Sequence, residues 1–409
     1  MSSIITNKKY KIVLFQGGFA DSGSGFDKTL SMMKNANSNF LVYFSKIDMS
    51  NFNTSNKCFY NNQSGYYTRS TQAMNDFKTL IANIVTFARN NENKTILVST
   101  YLNAGFSSKH NFDSIENQKT KLVFIIDEIK KYSGIELSLV GHSQGGLVNL
   151  EASIARNYSI GKVISISTPY SPVYLGEKLI FIDFFLNIGG KSVYEAFVKK
   201  HSDYIPIYKS CVEKLCSSSY YSDLRNRWNN LNTRPKLTVI TGTAGHLFRI
   251  IPGINYGDNY VPETLMTDPF DGLVKFSEQS NIQNANFIHL VDSSVPCYSN
   301  KTYAQSTCKV QSGLYISCTK KCPLKSLNLA GTIIDVLFNL IENAINGYNI
   351  GDLDNTNVMK AIKAARTGAS INTVPSGYED YYYVYSSMYG HEFIRYNSET
   401  IGHLLALLS

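Results

Sequence analysis

Ile135-Glu136-Leu137-Ser138-Leu139-Val140-Gly141-His142-Ser143-Gln144-Gly145-Gly146-Leu147-Val148-Asn149-Leu150-Glu151-Ala152 reads as a strand, a tight turn and a helix in that order. The first six residues are a short apolar run suited to a buried strand, and the apolar spacing after Gly146 suits a helix. In a Gly-x-Ser-x-Gly turn between two such elements, the serine takes a strained backbone and lifts its hydroxyl above the sheet at a helix N-terminus. Gly141 and Gly145 flank Ser143 because a Cβ at either place would strike the neighbouring strand or helix. Ser143 is therefore the candidate nucleophile. The five residues alone are a weak signal, and the elements on both sides carry the reading. A plain βα turn that binds nothing, or a phosphate, is the competing reading. Against it, Gly141, Gly145 and Gly146 lack the Gly-x-Gly-x-x-Gly spacing of a dinucleotide site, and no Gly-Lys-Ser/Thr follows.

On either side of this turn strands and helices alternate. Residues 11–16, 40–44, 95–100, 163–167 and 237–242 are predicted strands, with 286–291 as the last. Helices are predicted over about 26–34, over 73–88, where Met74, Phe77, Leu80, Ile81, Ile84 and Phe87 recur at helical spacing, and over a segment that includes 122–129. The stretch from 45 to about 70 reads as irregular. Alternation of this kind predicts an α/β protein with a mostly parallel sheet covered on both faces. The strand pattern stops over 171–235, which holds the apolar run Leu179-Ile180-Phe181-Ile182-Asp183-Phe184-Phe185-Leu186 and reads as a helical cap. A second insertion over 293–375 holds four cysteines and an amphipathic helix with Leu329, Ile333, Val336, Leu337, Leu340 and Ile341 on one face. The expected core is then 1–170, 236–292 and 376–409.

A chain of 409 residues, 43% hydrophobic, can bury an ample core, and no run of eighteen apolar residues suggests a spanning helix. The formal charge of +8 permits attraction to anionic surfaces such as lipid headgroups. The basic residues are scattered in doublets, without the polybasic or aromatic-basic arrays that nucleic acid would require. Oligomeric state is not legible. Met1 to Lys9 lacks the charged start and long apolar centre of a signal peptide. A strand beginning near Tyr10 would also suit a mature chain whose leader has been removed. Seven cysteines are present, with Cys297, Cys308, Cys318 and Cys322 together in polar, turn-rich sequence. Disulfides and an oxidising, extracytoplasmic compartment are the favoured reading there. A four-thiolate zinc site competes less well, because only Cys318 and Cys322 have the close spacing of zinc ligands. No cofactor or metal is expected.

A serine hydroxyl needs an adjacent base, usually histidine, oriented by a carboxylate, and N–H donors for the oxyanion that develops. The first strand ends in Gly17-Gly18-Phe19-Ala20, which offers the amide of Phe19. The amide of Gln144, at a helix N-terminus, offers the second donor. Here the chain resembles the α/β-hydrolase lipases and esterases, in which a strand followed by His-Gly-Phe or similar supplies a donor. Gly17 stands where that family usually has histidine.

Two segments compete for the acid. Asp271-Gly272-Leu273-Val274, followed by Ser277 and Ser280, is similar to the acid-bearing segment of bacterial lipases. Tyr256-Gly257-Asp258-Asn259-Tyr260-Val261-Pro262 is similar to another version of it. Asp271 is favoured, because Asp258 lacks a following glycine. Among seven histidines, His289, His391 and His403 follow Asp271. His403 falls in the apolar pattern of a terminal helix and His289 in the last strand. His391 follows the strand-like 381–385 and a short loop, ahead of a final helix, and it preserves the order serine, acid, histidine that the resemblance implies. His391 is favoured and His289 stays open. The resemblance implies an acyl-serine mechanism with Ser143, Asp271 and His391, on an ester or lipid substrate, with transient contact to a lipid surface. A thioesterase, acyltransferase or small-ester esterase stays open, as does a non-catalytic binding protein on the same scaffold. The resemblance also implies a start at the oxyanion strand, and an extra β/α unit near 95–100 leaves the order of the sheet open.

Overall fold

The computed structural model describes residues 9–18, 23–63, 66–103, 113–173, 214–215, 217–251, 254–256, 259–261, 264–271, 274–292, 297–299, 302–304, 360–361, 364–365, 367–376, 379–391 and 393–409. Its strands are β1 (Tyr10–Gln16), β2 (Phe40–Val42), β3 (Ile47–Asp48), β4 (Phe52–Asn53), β5 (Cys58–Gln63), β6 (Tyr66–Arg69), β7 (Thr95–Tyr101), β8 (Ile135–His142) and β9 (Lys162–Ile166). They continue as β10 (Lys236–Thr243), β11 (Gly245–Ile251), β12 (Ile254–Tyr256), β13 (Asn259–Val261), β14 (Thr264–Phe270), β15 (Ala285–Val291), β16 (Cys297–Ser299) and β17 (Thr302–Ala304). The helices are α1 (Asp27–Ala36), α2 (Thr71–Asn90), α3 (Ile115–Ile129), α4 (Gln144–Ala155), α5 (Ser218–Asn229), α6 (Phe276–Gln279), α7 (Glu379–Ser386) and α8 (Ser398–Leu408).

Eight strands form the main sheet in the order β15-β10-β9-β8-β1-β7-β2, with β3 also on β7. Every pairing in it is parallel. From β1 the chain moves out to one edge through β2 and β7, and from β8 to the other through β9, β10 and β15. The direction of winding therefore reverses between β1 and β8, the kind of switch point beside whose carboxyl ends open α/β sheets bind their ligands.

Over β1, β7, β8, β9 and β10 both faces of the sheet are buried, which explains why these strands read as continuous apolar runs. In β1, Ile12 and Leu14 enter the core shared with α2, α3, α4 and α5, while Val13 and Phe15 enter the opposite core, shared with α1 and α8. α2 and α3 are entered through Ser70 and Ser114, whose hydroxyls accept the amides of Ala73 and Asn117. Among the described residues no helix is long and apolar enough to cross a membrane.

Several expectations shift. The strand predicted over 40–44 ends at Val42; Tyr43 turns into the core and Phe44 is left 87% exposed. The stretch read as irregular carries β4, β5 and β6, with β4 and β6 each antiparallel to β5, and Phe52 and Phe59 pack with Phe77 and Phe124 over α2 and α3. In the segment read as a cap, α5 is a core helix: Tyr221, Leu224 and Trp228 are fully buried, and Arg227 forks onto Glu151 of α4 at 2.8 Å through its two terminal nitrogens. The strand-like 381–385 is helix α7. Tyrosine favours strands only where a pleated neighbour exists, and the sheet order ends at β15. The terminal helix follows a 3₁₀ turn at Ile394–Tyr396 and is capped by Asn397, whose Oδ1 accepts the amide of Glu399 at 2.8 Å. The apolar run 179–186, the helix expected near 329–341, Cys211, Cys216, Cys308, Cys318 and Cys322 lie outside the described residues. Cys58 is a buried free thiol.

Candidate active site

Ser143 links β8 to α4 with φ 53° and ψ −127°, a conformation that costs a non-glycine residue about 1–3 kcal/mol. Its surroundings hold it there: its amide donates to Ile166 O at 2.9 Å and its carbonyl accepts from Gly146 at 3.0 Å. The turn fits because the chain passes very close to β1. A Cβ on Gly145 would sit 2.4 Å from the carbonyl oxygen of Gly17 and 2.6 Å from that of Gln16.

Two loops meet above this turn. The imidazole of His391, on the loop after α7, has its Nε2 2.9 Å from Ser143 Oγ and its Nδ1 2.8 Å from Asp271 Oδ2. Asp271 follows β14 and is buried at 1% exposure, while Ser143 and His391 keep 8% and 9%. A carboxylate only accepts, so Nδ1 carries the hydrogen and Nε2 presents a lone pair to the serine hydroxyl. The amide of His391 also donates to the backbone carbonyl of Asp271 at 2.7 Å. Asp271 Oδ1 in turn accepts the amide of Val274 at 2.7 Å.

Gln279, fully buried in α6, ties this arrangement to the sheet. Its Oε1 accepts the amide of Gly242 in β10 at 2.9 Å, and its Nε2 donates to Gly242 O at 3.1 Å, Val274 O at 3.0 Å and Asp271 Oδ2 at 3.3 Å. His142 lies on the other side, its Nε2 2.7 Å from His391 O. Burial, the nearby Arg395 charge and His391 hold its ring well below the usual histidine range. Neither role is legible in the sequence. A glutamine eight residues after an aspartate forms no pattern, and His142 reads from sequence only as a side chain of the turn.

The other candidates fall elsewhere. His289 hydrogen-bonds Thr241 Oγ1 at 2.8 Å in β15, beside Phe276 and Phe287, and burial lowers its pKa. His403 lies along α8. Phe19 and Asp258 are outside the described residues. Gln144 opens α4, whose first amides have no carbonyl within the helix to bond. Its side-chain Oε1 accepts from Gln118 at 3.3 Å.

A parallel sheet that reverses beside a strained Ser143, with an acid after β14 and a histidine before the last helix, decides the architecture. The fold is that of the α/β-hydrolases. The sequence matches no protein-family model and no curated protein. Similar solved structures include the product of gene lin2722 from Listeria innocua, at 14% identity and TM-score 0.35, over 69% of this chain and 84% of that one. The mature lipase BlEst2 of Bacillus licheniformis is 16% identical with TM-score 0.34, over 70% of this chain and 84% of its own. A lipase described as putative from Acinetobacter baumannii is 10% identical with TM-score 0.33, over 69% and 76%. These α/β-hydrolase features come from the chain's own strand order and turn geometry.

Proposed function

We propose that this chain is a serine hydrolase that cleaves carboxylic esters, foremost those of lipids, through an acyl-serine intermediate. One observation carries the reading: His391 bridges Ser143 Oγ and Asp271 Oδ2 with hydrogen bonds of 2.9 and 2.8 Å. In the proposed reaction Ser143 Oγ attacks the ester carbonyl while its proton passes to His391 Nε2. Asp271 holds the ring and stabilises the imidazolium, without taking the proton itself. The oxyanion is met by the amide of Gln144 and, as the second donor, that of Phe19. Collapse expels the alcohol, which takes the proton from Nε2. Water then attacks the acyl-serine with His391 as base, releasing the acid and restoring Ser143. The net charge of +8 supports substrates presented at anionic lipid surfaces.

The test is incubation with a fluorophosphonate and mapping of the adduct, with p-nitrophenyl esters of short and long chains assayed in parallel. Labelling at Ser143 with turnover that rises with chain length is expected. An unlabelled Ser143 with no ester turnover would overturn the proposal, and turnover of short chains alone would replace lipids by small esters.

A further inference from the structure

His142 is 3% exposed, and its ring leans on that of His391 with centroids 4.8 Å apart. A carbonyl oxygen can only accept, so the 2.7 Å contact to His391 O fixes the hydrogen of His142 on Nε2. The other ring nitrogen, Nδ1, is buried with no partner among the described residues, 3.2 Å from where a Cβ on Gly18 would stand. A proton there would bury an N–H without an acceptor and place a charge next to Arg395 and His391. The ring is thus a neutral donor of fixed tautomer. The backbone of His391 is held on two sides, its N–H by the carbonyl of Asp271 and its C=O by the residue that precedes Ser143 in β8.

We infer that His142 is the positioning residue of His391: it ties the loop bearing the base to the strand bearing the nucleophile, through a donor that adds no charge beside the imidazolium. A lysine or arginine there would oppose that imidazolium, and an apolar side chain would leave the His391 carbonyl untied. The inference rests on the proposed serine-hydrolase reading and names a part of that same site.

The test compares His142→Met, which lacks a donor, with His142→Gln, whose amide reaches about as far as Nε2. Each is followed by the second-order rate of fluorophosphonate labelling of Ser143 against pH, by kcat and KM on a p-nitrophenyl ester, and by the unfolding midpoint. With the clamp lost, His142→Met should lose about 10- to 100-fold in labelling rate and kcat at unchanged KM, the range expected for a misplaced catalytic group. His142→Gln should stay within about threefold and keep the pH profile of the parent chain. If His142→Met does not fold, His142→Asn, whose amide falls short of the carbonyl, takes its place. Equal rates for Met and Gln variants at any common level, or a Met variant as fast as the parent, overturn the inference. A Gln variant that loses its pH dependence also overturns it, because His142 would then itself be the base. An unlabelled parent chain, by contrast, removes the serine-hydrolase reading and this inference together.

Discussion

Gln279→Glu and Gln279→Met separate two contributions of one buried side chain. Methionine fills similar space and removes every hydrogen bond. The amide of Gly242 is orphaned, at roughly 1–3 kcal/mol, and the Asp271 carboxylate loses a donor, at roughly 1.5–3 kcal/mol. That loss should be the same at every pH between 5 and 8. Glutamate keeps the shape and an acceptor for Gly242, but sets a second carboxyl about 3.3 Å from Asp271 Oδ2. Two ionised groups at that distance repel by about 5 kcal/mol at an effective dielectric constant near 20, which exceeds three pKa units. The new carboxyl therefore stays protonated in the folded chain, while in the unfolded chain it ionises above about pH 4.3. The unfolded state then binds fewer protons. The stability deficit of the glutamate variant should grow by about 1.4 kcal/mol per pH unit from near pH 4.5 to near pH 8. Urea unfolding at pH 5, 6, 7 and 8 reads both slopes. A glutamate deficit that stays flat with pH would refute the placement of Gln279 against the Asp271 carboxylate.

Three further expectations concern the scaffold. In Gly146→Ala the new Cβ would lie 1.9 Å from Thr168 Oγ1 and 2.8 Å from Thr168 Cβ, so α4 must move; a loss of about 1–3 kcal/mol in urea unfolding is expected, with Thr168→Ala restoring part of it and Thr168→Gly, which also removes the Cβ, relieving the rest of the clash. Lys121 and Asp113 form a buried pair at 2.7 Å in which burial pushes the ammonium down and the carboxyl up, each opposed by its partner. Lys121→Met should cost about 3–5 kcal/mol by stranding Asp113, and the double variant with Asp113→Leu clearly less, by the same unfolding measurement. His142 and His289 are both held below the ordinary histidine pKa, chiefly by burial. Stability from each is complete above about pH 6.5 and falls as the pH drops, by up to about 1.4 kcal/mol per unit, so replacing either by Gln should flatten the acid limb of a melting-temperature series.

What the sequence made legible follows from how local its causes are. The turn around Ser143 is specified by residues within a few positions, since glycines, a preceding apolar strand and a following helix together leave the chain one compact route. The alternation of apolar strands with amphipathic helices likewise predicts a parallel sheet, because burial on both faces writes itself into each strand. His391 and Asp271 were harder, and two histidines and two acids stayed in competition, because their meeting depends on where loops far apart in sequence converge. Gln279 and the donor role of His142 are wholly long-range, and only the placed backbone of Gly242, Val274 and His391 gives those polar atoms partners. The misreading at 381–385 has the same root: tyrosine's preference for strands expresses a pleated neighbour, and among the described residues the main sheet ends at β15.

The three side chains of the candidate site are anchored on consecutive strands. Ser143 is tied by its amide to Ile166, the last residue of β9, and by its own position to the end of β8. Asp271 is tied through Gln279 to Gly242 of β10, and His391 through His142 back to β8. β8, β9 and β10 are neighbours in register, so the ends of β8 and β10 stand two strand spacings apart, about 10 Å. One imidazole with a hydrogen bond on either side spans a gap of that order, between a serine on the first strand and a carboxylate held by the third. The hydrogen-bond path runs through strand ends and the short loops that top them. A substitution that shifts one of these strands along its neighbour should therefore uncouple Ser143 from His391 before it unfolds the sheet, whereas exposed positions on α2 or β6, which touch none of these ties, should leave the geometry intact.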